Sequence, residues 1–218
     1  MIDQPRRRSG TAWVASGTSL AVLGLVALAA TGPTAMHESV EPPPPVAETI
    51  HVCSSCHGFR GQSTSSLFPV LAGQQKDYIE TQLKAFRDRS RADPHAKAYM
   101  WGTAARLTDA QISLIADYYG AQQPVYSHAD PSPQVAAGAQ IYTEGVPFAK
   151  VPACMNCHGK KAEGDGKTPR LAGQHPDYLV RQLKWFASMA RANQVMYESS
   201  MNLTAEQIAA VAAYLGSQ

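Results

Sequence analysis

The sequence predicts an all-α chain of two tandem, homologous domains behind an N-terminal signal or anchor helix. Three observations carry this reading. Two Cys-x-x-Cys-His pentads, Cys53-Ser54-Ser55-Cys56-His57 and Cys154-Met155-Asn156-Cys157-His158, stand about one hundred residues apart. The residues after the first pentad recur after the second. Apolar positions recur at helical spacing, and no run alternates as a strand would. A length of 218 residues suits one large domain or two small ones, and the repeat decides for two.

The N-terminus comes first. Arg6-Arg7-Arg8 precedes a stretch free of Asp, Glu, Lys and Arg from Ser9 to Met36, most apolar between Leu20 and Ala30. A basic n-region followed by an apolar h-region marks an export segment. Residues 1–36 therefore read as a signal peptide or a membrane anchor. Ala27-Leu28-Ala29 offers an A-x-A-like cleavage site, whereas residues 12–30 approach the roughly 20 residues of a membrane span and would serve as a tether. Both readings put the rest of the chain in the periplasm, the second holding it at the inner membrane. Residues 37–45, with Glu41-Pro42-Pro43-Pro44-Pro45, read as a Pro-rich linker in extended polyproline II.

The repeat defines the remainder. Phe68-Pro69-Val70-Leu71-Ala72-Gly73-Gln74 matches Thr168-Pro169-Arg170-Leu171-Ala172-Gly173-Gln174, and Asp77-Tyr78 with Gln82-Leu83-Lys84-Ala85-Phe86 matches Asp177-Tyr178 with Gln182-Leu183-Lys184-Trp185-Phe186, at an offset of 100. Leu107-Thr108 matches Leu203-Thr204 at an offset of 96, so four residues differ before the last helix. Domain 1 is assigned to residues 46–122, a Pro-rich connector to 123–133 and domain 2 to 134–218.

Each repeat reads as helices. Thr108 and Thr204 are N-cap candidates for last helices ended by Gly120 and Gly216, with Ile112, Ile115, Ala116, Tyr119 and Ile208, Val211, Ala212, Leu215 on the buried face. Tyr78, Ile79, Leu83, Phe86 and Tyr178, Leu179, Leu183, Phe186 form the middle stripe. A third helix precedes each pentad, clear in Val135–Tyr142 and cramped in Val46–Val52 by the prolines before it.

Composition narrows the function classes. Setting aside Arg6, Arg7, Arg8 and Asp3, sixteen basic residues face sixteen acidic ones, which leaves no basic excess for nucleic acid. All four cysteines lie in the pentads, so none is left for a structural disulfide.

The pentads carry the chemistry. Two thiols one helical turn apart can both bond the vinyl groups of a porphyrin, and the adjacent imidazole can bind its iron; this is the c-type haem attachment signature. Zinc sites and redox dithiols also use paired cysteines. Two pentads in an exported chain favour two covalently bound haem c groups, on Cys53, Cys56, His57 and on Cys154, Cys157, His158. A ligating histidine needs an acceptor for its second ring nitrogen, and the carbonyls of Pro69 and Pro169, 12 and 11 residues on, are candidates. Met100 and Met196 each lie seven residues before the matched Leu-Thr pair. Their thioethers are soft ligands suited to the sixth position, which makes His57, Met100, His158 and Met196 the expected iron ligands. Met201, only two residues before Leu203, is expected to pack at the haem edge. His37, His51, His95, His128 and His175 lack a histidine counterpart and read as surface or loop residues, with His95 in the four-residue insertion as the rival ligand.

From about Val46 to Gln218, both pentads, both Leu-Ala-Gly-Gln segments, the paired aromatic helices and the Met-to-Leu-Thr spacing resemble the cytochrome c4 family. The resemblance implies two cytochrome c folds about a pseudo-twofold axis, haem propionates meeting near the interface, and service as an electron carrier to a terminal oxidase. The short first helix and the anchor reading depart from that pattern. The expected function is that of a periplasmic di-haem carrier, not an enzyme, passing single electrons between a respiratory donor and a terminal oxidase or another acceptor. Its partners would be redox proteins: a quinol-oxidising cytochrome complex, a small copper protein or a haem-copper oxidase. The alternatives are an electron-transfer subunit of a larger dehydrogenase and a di-haem peroxidase. A peroxidase or a gas sensor needs an open or displaceable iron position, and each repeat has a methionine in register. No Gly-x-Gly-x-x-Gly fingerprint provides a dinucleotide site.

Overall fold

A computed structural model describes residues 40–127 and 132–218, within a compact unit spanning Glu38–Gln218. The predicted signal or anchor segment, His37 and His128 lie outside the described residues. The helices are α1 (Ala47–His57), α2 (Lys76–Arg87), α3 (Trp101–Ala104), α4 (Asp109–Gly120), α5 (Pro133–Glu144), α6 (Met155–His158), α7 (Pro176–Ala187), α8 (Gln194–Ser200) and α9 (Ala205–Gly216). Among the described residues the only β pairing is two isolated bridges, Val146 with Val151 and Asp165 with Thr168.

The last helices begin where their capping chemistry places them. Gln111 N–H donates to Thr108 Oγ1 at 3.2 Å while Gln111 Oε1 accepts the Thr108 N–H at 3.0 Å. Thr204 and Gln207 repeat the pair at 3.2 and 2.9 Å. Each capping box satisfies donors that the first turn cannot pair internally. The predicted apolar faces of α4 and α9 are buried throughout. α2 packs on α4 and α7 on α9, joining Ile79 and Leu83 to the first core and Leu179 to the second.

The two first helices differ. In domain 2, α5 crosses α9 closely: a Cβ on Gly138 would collide with the Ala210 carbonyl, so only glycine allows the approach. A ten-residue connection with a 3-10 turn at Pro147–Ala149 then leads to the separate α6, which carries His158. In domain 1 the pentad is part of α1 itself, making that helix eleven residues rather than the expected short one. The proline run is only partly extended. Pro43 keeps polyproline dihedrals, but Pro44–Val46 turns as a 3-10 helix that brings Val46, 1% exposed, into the core. Gln122 Nε2 donates to the Val40 carbonyl at 3.3 Å, so Val40 lies against domain 1.

The Leu-Ala-Gly turns seat the connector. Gly73 and Gly173 have φ of +66° and +74°, the left-handed region that glycine tolerates. A Cβ on Gly73 would meet the Pro124 ring and one on Gly173 the Val125 carbonyl. Consecutive connector residues thus rest on the equivalent turns of both repeats.

Candidate haem sites

Both histidines end a helix and are closed off by a glycine of positive φ, Gly58 at +78° and Gly159 at +85°. His57 Nδ1 lies 2.9 Å from the Pro69 carbonyl and His158 Nδ1 3.0 Å from that of Pro169. A carbonyl accepts only, so Nδ1 carries the proton and Nε2 keeps the lone pair. Burial pushes both imidazoles below their ordinary pKa, against the opposing pull of the proline carbonyls, so each is neutral near pH 7. Burial also raises the Cys53 thiol, and it pushes Cys154 up to about 11. Cys56 and Cys157, the second cysteines, are exposed.

His57, Met100, His158 and Met196 all line one cavity of about 640 Å³ that runs through both domains. Pro69 and Pro169 line it too. Met100 and Met196 are half-buried. Met201 is 45% exposed and does not line the cavity. His95 reaches the cavity wall with its ring edge-on to Tyr99 and Trp185, at 5.5 and 4.9 Å between centroids.

The four-residue insertion lies in the segment that carries Met100. Asp93 and Asn193, at the undisturbed offset of 100, both act as N-caps: Ala96 N–H donates to Asp93 Oδ1 at 3.0 Å and Met196 N–H to Asn193 Oδ1 at 2.9 Å. Met196 follows its cap by three residues and Met100 by seven. Domain 1 takes up the difference as a π-helical stretch, Ala96–Met100, running into α3. Such wide turns are rare and concentrate at functional sites.

The cavity fits an anionic, largely apolar group. Its apolar wall includes Leu83, Phe86, Leu183 and Phe186. Tyr119, 0% exposed, brings its phenol hydroxyl to the cavity wall beside the Cys53 thiol. Two guanidiniums line the cavity at the domain interface. Arg91 Nε donates to the buried Asp93 carboxylate at 2.8 Å. Arg191, 7% exposed, has no carboxylate partner among the described residues and donates only to neutral oxygens, of Gln182 at 2.6 Å, Gln82 at 2.9 Å and Tyr78 at 2.8 Å. Arg91 mirrors this on Gln82 at 2.8 Å and Gln182 at 3.1 Å. A buried, uncompensated charge costs several kcal/mol, on the order of the penalty for breaking a buried ion pair; propionate carboxylates would compensate it. The arginines were missed in the sequence, although they too stand at the repeat offset of 100 in a chain poor in charge.

Comparison with known proteins agrees with this geometry. The cytochrome c family profile matches residues 48–119 and again 135–218. Cytochrome c-552 of Acidithiobacillus ferridurans is 43% identical over 169 residues, 76% of this chain and 73% of that one. The thiosulfate dehydrogenase electron acceptor of Thiomonas intermedia is 33% identical over 174 residues, 76% of this chain and 78% of that one. The solved cytochrome c4 of Acidithiobacillus ferrooxidans superposes with a TM-score of 0.72 at 42% identity, covering 76% of this chain and 98% of that one. The chain belongs to the cytochrome c family, as a two-domain electron carrier of the cytochrome c4 type with two covalently bound haems.

Proposed function

We propose that His57 with Met100, and His158 with Met196, are the axial iron ligands, and that Pro69 and Pro169 hold the two histidines in their ligating tautomer. The observation that carries this is the joint placement of all four side chains on one cavity, with both Nδ1 atoms engaged and both Nε2 lone pairs free. When bound, haem supplies the one-electron iron couple. The chain's own residues fix the imidazoles, offer two thioethers, exclude water with an apolar wall and place Arg91 and Arg191 where carboxylates need partners.

The protein works in the periplasm, where the export segment and c-type attachment both put it, and it relays electrons without turning over a substrate. Its donors and acceptors are redox proteins; a quinol-oxidising complex, a small copper protein and a haem-copper oxidase fit that chemistry. A second reading, electron acceptor to a dehydrogenase on another chain, is favoured by the likeness to the Thiomonas protein.

Carbon monoxide tests the carrier reading. Two six-coordinate irons leave the reduced spectrum unchanged, whereas a rapid stoichiometric shift at either haem would favour an enzyme or a sensor. Acid-acetone extraction should leave the colour on the protein, and Cys154→Ala should lower the haem count. Copurification from detergent-solubilised membranes identifies the partner and shows whether residues 12–30 tether the chain.

A further inference from the structure

Between the domains, two glutamine side chains behave as pieces of backbone. Val70 N–H donates to Gln174 Oε1 at 2.9 Å and Gln174 Nε2 donates to the Val70 carbonyl at 3.0 Å. Reciprocally, Arg170 N–H donates to Gln74 Oε1 at 2.7 Å and Gln74 Nε2 to the Arg170 carbonyl at 2.9 Å. Both glutamines are buried, at 7% and 6% exposure, and each follows a Leu-Ala-Gly turn that fixes its direction.

The residues they clamp are those next to the histidine-holding prolines. The Pro69 carbonyl and the Val70 N–H belong to one planar peptide unit. His57 of domain 1 therefore donates to one end of a rigid amide whose other end donates to Gln174 of domain 2. His158, the Pro169–Arg170 peptide and Gln74 form the mirror arrangement. A hydrogen bond donated by an amide N–H polarises its carbonyl into a better acceptor. A better acceptor for Nδ1–H makes the imidazole a more basic ligand, which favours the ferric state and lowers the potential.

We propose that Gln174 is a positioning residue for His57 and Gln74 for His158, so that each domain sets the axial histidine and the reduction potential of the other's haem. This rests on the reading of His57 and His158 as iron ligands. It differs from a role in merely holding the domains together, which would affect both haems alike.

The test uses the full-length holoprotein with ring-¹⁵N histidine, comparing wild type with Gln174→Met and Gln74→Met, which keep side-chain length but lose both hydrogen bonds. Gln174→Met should raise the potential of the His57 haem alone and speed exchange of the His57 ring N–H about five- to tenfold, the equivalent of one hydrogen bond of about 1 kcal/mol. Gln74→Met should do the same to the His158 haem alone. Gln174→Glu retains an oxygen facing the Val70 N–H; it should keep the exchange slow and lower the His57 potential, which gives a readout of opposite sign if the methionine variant does not fold. Unchanged exchange and potential, or equal shifts at both haems, would overturn the coupling. Ring signals of His57 and His158 without hyperfine shifts in the oxidised wild type would overturn the ligand assignment instead, and that outcome is visible before any glutamine is changed.

Discussion

Asn193 accepts the backbone N–H of Met196 on its Oδ1 at 2.9 Å, so the cap of α8 holds the methionine that faces the cavity. Asp93 does the equivalent for Ala96 in domain 1, and its second oxygen takes the Arg91 Nε as well. One cap has a single task and the other has two.

Asn193→Ala should therefore destabilise the holoprotein by about 1 kcal/mol, the usual worth of an N-cap. Asp93→Ala also removes the buried carboxylate that takes the Arg91 Nε, and should cost clearly more than the cap alone. Guanidinium unfolding of both variants checks this; equal losses would mean that the Arg91–Asp93 pair contributes nothing beyond the cap.

Met196→Ala should abolish the weak near-infrared absorption of one methionine-ligated ferric haem and lower that haem's potential, as water or a stronger-field ligand replaces sulfur. Met201→Ala, at an exposed side chain off the cavity, should leave the absorption intact. The reverse result would show that the ligand register of domain 2 is displaced by five residues.

Two glycines of positive φ separate backbone strain from crowding. Gly166, φ +53°, has nothing nearer than 3.8 Å to an added Cβ, so Gly166→Ala should cost about 1–2 kcal/mol of left-handed strain. At Gly173 the Cβ also strikes the Val125 carbonyl, so Gly173→Ala should lose clearly more, at least about 3 kcal/mol. Thermal melts of the two side by side decide; an equal shift would mean that the connector moves aside freely.

Thr108→Ala and Thr204→Ala should each remove about 1 kcal/mol by opening the capping boxes of α4 and α9. Because the boxes lie away from the cavity, the visible spectrum should not change. A spectral change on either substitution would show that the cap transmits to the haem site.

Much was legible in the chain because local chemistry fixes it. The pentads, the helix starts at Thr108 and Thr204 and the apolar stripes depend on neighbours within a turn or two, and the internal repeat supplied the register that placed Met196 seven residues before Leu203. The proline carbonyls were found the same way, by matching positions across the repeat.

Tertiary structure decided what depends on long-range meeting. No local signal shows that Gln174 reaches Val70, 104 residues away, or that Arg191 lies without a carboxylate among the described residues. The π turn at Ala96–Met100 was equally hidden, because a four-residue insertion can be absorbed in a loop or in a helix, and the fixed positions of Asp93 and Met100 in the fold select the helix. Sequence specifies the chemistry of each half; only packing two copies face to face brings their polar groups into one cavity, where desolvation makes each unmet hydrogen bond and charge consequential.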